Sequence, residues 1–189
     1  MSQLNTGLKN HLLIAMPSMT DPNFDGTVTY LCRHDENGAM GIIINRPLKM
    51  RLLDIFTQLE FDSVDSKKAE QIVLSGGPVQ QEMGFVLHQS NESFEKTLNP
   101  SSGGIKITVS QDILNSMAQG KGPKSSIVAL GYAGWQAGQL EAELAANAWL
   151  SVPADPTILF HTPTENRRDA AAALLGVDIH QLSNYVGHA

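Results

Sequence analysis

The chain has 189 residues, 42% of them hydrophobic and 17% charged, with a formal net charge of −6 and a single cysteine, Cys32. One domain spanning residues 1–189 is expected: a chain of this size buries roughly 70% of the surface its unfolded form exposes, and one cysteine forms no internal bridge. Lys67-Lys68 and Arg167-Arg168 are the only adjacent basic pairs, which excludes a sustained basic stripe and disfavours direct nucleic-acid binding.

Apolar runs such as Leu12–Met16 and Ile42–Ile44 fall far short of the roughly 20 residues that cross a membrane as a helix. The first 15 residues lack the layout of an export signal. A reducing cytoplasm is the expected location, with no membrane association.

In chain order, His11–Met16 is a predicted strand, followed by Thr27–Arg33 and Met40–Asn45, all short, rich in branched aliphatics and bounded by turn formers. Asn37-Gly38 between the second and third predicts a tight antiparallel hairpin, because both residues tolerate positive φ. Arg51–Glu60 is a predicted amphipathic helix, with Leu52, Ile55, Phe56 and Leu59 at spacings of three and four. Strands are predicted at Gln71–Ser75, Gly84–His88 and Ile105–Val109, with a long loop over Ser90–Gly104. A helix capped by Ser110 runs through Ile113, Leu114 and Met117 and stops at Gly120. Ser125–Leu130 is a predicted strand, Gln139–Ala148 a helix, Thr157–Phe160 a strand, and a last helix follows Thr164 and ends at Gly176. Strands and helices interleave irregularly, so the class is α+β and not a repeating βαβ array.

Cys32 is the first candidate for chemistry. Strand alternation places Val28, Tyr30, Cys32 and His34 on one face and sends Arg33 to the other, with His34 about 6.6 Å from the cysteine along the strand. A thiolate primed by His34 would make the protein a cysteine-based enzyme or redox sensor. A buried, inert thiol is the expected state, since free cysteine is among the most buried residue types. The chain contains no G-x-S-x-G, H-E-x-x-H, C-x-x-C or G-x-x-x-x-G-K-[ST] pattern. Its six histidines lack local metal-ligand spacing. No metal site and no cofactor are expected. Two glycine-rich stretches, Leu74–Val79 and Gly131–Gln139, are expected to be tight strand exits in preference to anion-binding nests. Glu141 and Glu143 stand about 200° apart on their helix and are expected to line a solvated edge.

Together the segments HLLIAMP, NGAMGIIINRP, GGPV, GFVLH, GYAGWQAGQLEAELAANAWL and PADPTILF, with the C-terminal GVD and GHA, resemble the AlgH/YqgE family of bacterial proteins. The resemblance runs from His11 to Ala189. It implies a single α+β domain with a bifurcated, barrel-like mixed sheet surrounded by helices, and it supplies no catalytic set. The residues that match its motifs include Asn45, Arg46, Gly76, Gly77, Gly134 and Trp135, which are therefore the candidates for ligand binding. The family's transcriptional-regulator label implies a regulatory protein. With the missing catalytic signatures, the expected function is a non-enzymatic regulatory or interaction protein that acts through a protein or small-molecule partner. Any effect on transcription would then be indirect.

Overall fold

The structure, a computed structural model, describes residues 7–98 and 104–182. The Gly187-His188-Ala189 motif and positions 99–103 of the expected loop lie outside them. The class is α+β, built on one curled sheet that takes in all ten strands of the described residues. Strands β1 (His11–Ala15), β2 (Val28–Asp35) and β3 (Gly38–Ile43) form an antiparallel meander, and β10 (Trp149–Pro153) pairs with the free edge of β1. The central strand is β9 (Ser126–Gln136), antiparallel on one side to β6 (Val79–His88). Beyond β6 come β8 (Lys106–Thr108) and β7 (Thr97–Leu98).

The other side of β9 forks. Its C-terminal half pairs with β3 through Ala133–Gln136, while Ala129 and Leu130 pair in parallel with β5 (Ile72–Ser75), which in turn holds β4 (Pro47–Arg51). The fork falls at Gly131, where φ is +77°. A side chain is impossible there and on the crossing segment. A Cβ on Gly131 would lie 2.4 Å from the Gly77 carbonyl oxygen, and one on Gly77 would lie 2.1 Å from the Tyr132 carbonyl carbon. The expected tight exit at Gly131–Gln139 is therefore continuous strand through Gln136, bent at its first glycine.

The curl separates three apolar layers. The concave layer contains Leu12, Tyr30, Ile42, Phe85 and Leu87, closed by α5 (Pro156–Phe160), α6 (Arg167–Ala173) and α7 (Ile179–Leu182). On the reverse of the meander, Leu13, Leu31, Trp135 and Trp149 pack under α4 (Gln139–Ala145). On the reverse of β6 and β9, Val86 and Val128 pack under α1 (Leu52–Gln58) and α3 (Gln111–Ala118). The four-residue α2 (Ser66–Ala69) links this layer to β5 and is capped by the Asp65 carboxylate, which accepts from Lys68 N–H.

Several elements depart from expectation. Thr157–Phe160 is helical: the Asp155 carboxylate accepts from Thr157 N–H and Pro156 occupies the first turn, the position where its missing N–H costs nothing. The strands β4 and β10 were not predicted. Inside the expected 90–104 loop, β7 pairs with β8. The hairpin forms as expected, but Asp35 faces Gly38, so its loop residues are Glu36 and Asn37.

Candidate functional site

The β2–β3 hairpin does not keep the alternation the sequence implies. Leu31 faces Gly41 and Arg33 faces Met40, so Cys32 is the extra residue of a β-bulge. Beyond a bulge the faces exchange. Cys32 stays in the concave core with Tyr30, while His34, opposite Ala39, joins the reverse layer beneath α4. The expected Cys32–His34 juxtaposition therefore does not form, and Arg33 returns to the cysteine's side.

Cys32 is 7% exposed, its Sγ lies 3.2 Å from the Met40 carbonyl oxygen, and burial pushes its pKa up to about 11 against the smaller opposing effects of backbone hydrogen bonding and of the Arg33 charge. At neutral pH it is a protonated thiol donating to a carbonyl. His34 is engaged elsewhere. Its Nδ1 accepts from Leu8 N–H at 2.8 Å and its Nε2 donates to the Glu141 carboxylate at 2.7 Å. The Glu141 backbone N–H and then His34 hold that carboxyl below its ordinary pKa.

Glu143 is not a solvated edge either. Its Oε2 accepts both indole N–H groups, from Trp135 at 2.9 Å and Trp149 at 2.8 Å, and its Oε1 accepts from Gln139. Phe24 stacks on Trp135 at 5.8 Å and meets Trp149 edge-on at 5.5 Å. The 200° between the two glutamates directs one to the hairpin and the other to the aromatic cluster.

The remaining motif residues hold the backbone. Asn45 Oδ1 accepts from Val28 N–H and its Nδ2 donates to the Gly26 carbonyl. Arg46 donates to the carbonyls of Asn23 and Asp25. Gly76 N–H donates to the Leu130 carbonyl and its own carbonyl accepts from Ile43 N–H, so this backbone is committed to the fork. Gly134 is exposed on β9 and Trp135 is buried behind it.

An open concavity with the character of a binding site lies elsewhere, between α1, α3 and the sheet. It has a volume of about 310 Å³, at the lower end of the ~300–1,000 Å³ range of ligand pockets. Its apolar lining includes Met50, Ile55, Val86, Leu114, Val128 and Leu130; Gln58, Glu82, Thr108, Ser110 and Gln111 supply polar groups. Gly84 keeps the cleft open, because a Cβ there would approach nothing nearer than Leu130 at 3.9 Å.

At one end a polar chain runs into the protein. Thr108 Oγ1 contacts both Thr97 Oγ1 at 2.7 Å and the fully buried His88 Nε2 at 2.8 Å. Burial, reinforced by nearby Lys106, pushes the His88 pKa down to about 4, so the ring is neutral at physiological pH. Beside it, Ser110 Oγ donates to Asp112. Partial burial raises the Asp112 pKa, but the Ser110 hydroxyl and the N–H groups of Glu95 and Ile113 outweigh it and hold the carboxyl below its ordinary range.

Sequence reasoning missed this cleft. The α1 periodicity pointed to Ile55, yet nothing local marks Gly84, Glu82 or Thr108 as its partners. Among the described residues, no group of three or more His, Cys, Asp or Glu could hold a metal, and no helix is long and apolar enough to cross a membrane.

A family model described as AlgH-like matches residues 12–180. The chain belongs to the AlgH-like family. It is 52% identical over 185 residues to the UPF0301 protein AlgH of Pseudomonas aeruginosa, covering 97% of both chains. A UPF0301 protein of Xanthomonas axonopodis pv. citri is 49% identical over 189 residues, covering 100% of both. The solution structure of the P. aeruginosa AlgH protein matches with a TM-score of 0.79 at 50% identity over 100% of both chains. A crystal structure from Corynebacterium diphtheriae has a TM-score of 0.73 at 16% identity, over 97% of this chain and 94% of that one, and shares the fold. Both the expected family and the expected α+β class are thereby established.

Proposed function

We propose that this member of the family is a cytosolic regulatory protein without chemistry of its own, which acts by binding a small, largely apolar molecule in the cleft between α1 and α3. Any effect on transcription is indirect. The observation that carries the reading is the composition of that cleft: an apolar floor from Val86, Val128 and Leu130, with hydrogen-bonding groups from Gln58, Ser110 and Gln111. Apolar walls supply affinity and a few fixed polar groups supply orientation. Support also comes from Cys32, whose elevated pKa and internal hydrogen bond oppose thiolate chemistry.

The test uses anilinonaphthalene sulfonate as an apolar reporter and Gly84→Phe to fill the cleft. Saturable fluorescence enhancement with the native protein, reduced at least tenfold in affinity by Gly84→Phe at unchanged fold, is the expected result. Equal binding by both proteins would refute the site. In parallel, no duplex DNA affinity near the 10⁻⁸ M typical of specific binders is expected at about 0.15 M salt; a sequence-specific, salt-resistant gel shift would refute the indirect role.

A further inference from the structure

Arg167 lies apart from the cleft and is buried without an ionic partner among the described residues. It opens α6, is only 8% exposed, and donates from Nη1 to the Ile44 carbonyl and from Nε to the Thr162 carbonyl at 3.2 Å. Both acceptors are neutral. Among the described residues no carboxylate lies within ion-pair distance of it; Glu165 acts on it only from farther away. Arg168, the next residue, likewise donates to a carbonyl, that of Ala15, and has no carboxylate partner among the described residues. Nearby Asp169 contacts His180 at 3.1 Å. Glu165 and Asp169 flank the two arginines in sequence, and neither forms an ion pair with them. A buried guanidinium remains charged, and an unpaired buried charge is costly.

The same Arg167 lines a cavity of about 180 Å³ at the beginnings of β5 and β9. Its other walls include Ile72 and Leu74, which are apolar, Thr164, which offers a hydroxyl, and Gln71, whose Nε2 already donates to the Ser126 carbonyl at 2.9 Å. Apolar surface beside a fixed cation lowers the local dielectric and strengthens its pull on an anion, here from one side only, since Ile72 is itself 41% exposed. The planar guanidinium matches tetrahedral and planar oxyanions in geometry.

We propose that this cavity is a binding site for a small phosphoryl oxyanion, held by the free Nη2 edge of Arg167 and by Thr164 at the junction of α6 with the β5–β9 pair. Its size of about 180 Å³ suits a phosphate group with a few attached atoms. The bound group is inorganic phosphate or the terminal phosphate of a small phosphomonoester, two sources of one chemistry.

The experiment is titration of the full chain, labelled with nitrogen-15, with inorganic phosphate and separately with glycerol 3-phosphate, at constant ionic strength against chloride. Saturable shifts of the Arg167 Nε–H and of the Ile72 and Thr164 amides are expected. Arg167→Gln should abolish them. Because that variant also loses two internal hydrogen bonds, Thr164→Glu provides a second reading: it places a carboxylate beside the guanidinium from a half-exposed position, and should weaken binding at least tenfold with the fold intact. Tighter binding of the ester identifies an organic ligand, and equal binding identifies phosphate itself. Linear shifts that chloride reproduces, or undiminished affinity in Thr164→Glu, would overturn the proposal.

Discussion

His88 should make the protein's stability depend on pH in a window where carboxylates contribute little. The ring is fully buried on β6, its Nε2 is tied to Thr108, and its pKa falls from 6.5 to about 4, first through burial and then through Lys106. In the unfolded chain the same imidazole takes a proton near pH 6.5. Between those values the unfolded state binds more protons than the folded one, so stability rises with pH there. It is fully present above about pH 6.5 and lost progressively as pH falls toward 4. A shift of about 2.5 units at about 1.36 kcal/mol each amounts to roughly 3 kcal/mol, a large part of a typical ~5–15 kcal/mol domain stability. The assay is urea unfolding at closely spaced pH values from 7.5 to 4.5, for the native chain and for His88→Gln, whose side chain can still reach Thr108. The native protein should lose roughly 2.5 kcal/mol more than the variant across this range, the remainder of the full effect lying below about pH 4.5. Asp112 and Glu141, whose carboxyls are held below their ordinary values, lose their contribution at lower pH and are common to both proteins. Parallel stability curves would refute the reasoning.

Cys32 should react with a thiol reagent at pH 7 no faster than the protein unfolds, and Cys32→Ala should cost on the order of 1 kcal/mol by denaturant titration. Because the bulge returns Arg33 to the cysteine's side, Arg33→Ala should raise the thiol pKa in denaturant-free titration, while His34→Ala should leave it unchanged. Glu143→Ala strips both indoles of their acceptor; a loss of about 2 kcal/mol or more with a shifted tryptophan emission is the expected outcome in equilibrium unfolding. Gly77→Ala forces a Cβ to within 2.1 Å of backbone and should cost about 3 kcal/mol or more, readable as lost soluble yield or a lowered melting temperature.

What was legible in the sequence is what local pattern controls. Branched aliphatic runs bounded by turn formers marked β1, β2, β3 and β5, and the spacing of Leu52, Ile55 and Phe56 marked α1. Short or half-exposed segments were lost. PLKMR in β4 buries only one side partially, and WLSVP in β10 follows a helix without a strong break. TILF is too short for its period to separate strand from helix, although Asp155-Pro156 carried a capping signal that would have decided it. The candidate site was the least legible part, since the cleft assembles Gly84, Thr108 and Leu130 from three strands and Ile55 from a helix.

The bulge at Cys32 explains why the chemistry suggested by alternation and the chemistry the fold permits diverge. Register is a property of two strands, and nothing in VTYLCRHD states that Gly41 and Met40, adjacent on β3, will face residues two apart on β2. A Cβ on Gly41 would lie 2.6 Å from Thr29 Cγ2 and 3.0 Å from the Tyr30 carbonyl oxygen, so the partner strand admits only glycine beside the irregularity. Once the extra residue is inserted there, Tyr30 and Cys32 can fill the concave core while His34 reaches Leu8 and Glu141 under α4. Regular pairing would have satisfied one of these two layers and stranded the other. The same inserted residue that seals the thiol therefore couples the hairpin to α4, the helix whose Glu143 holds the two tryptophans.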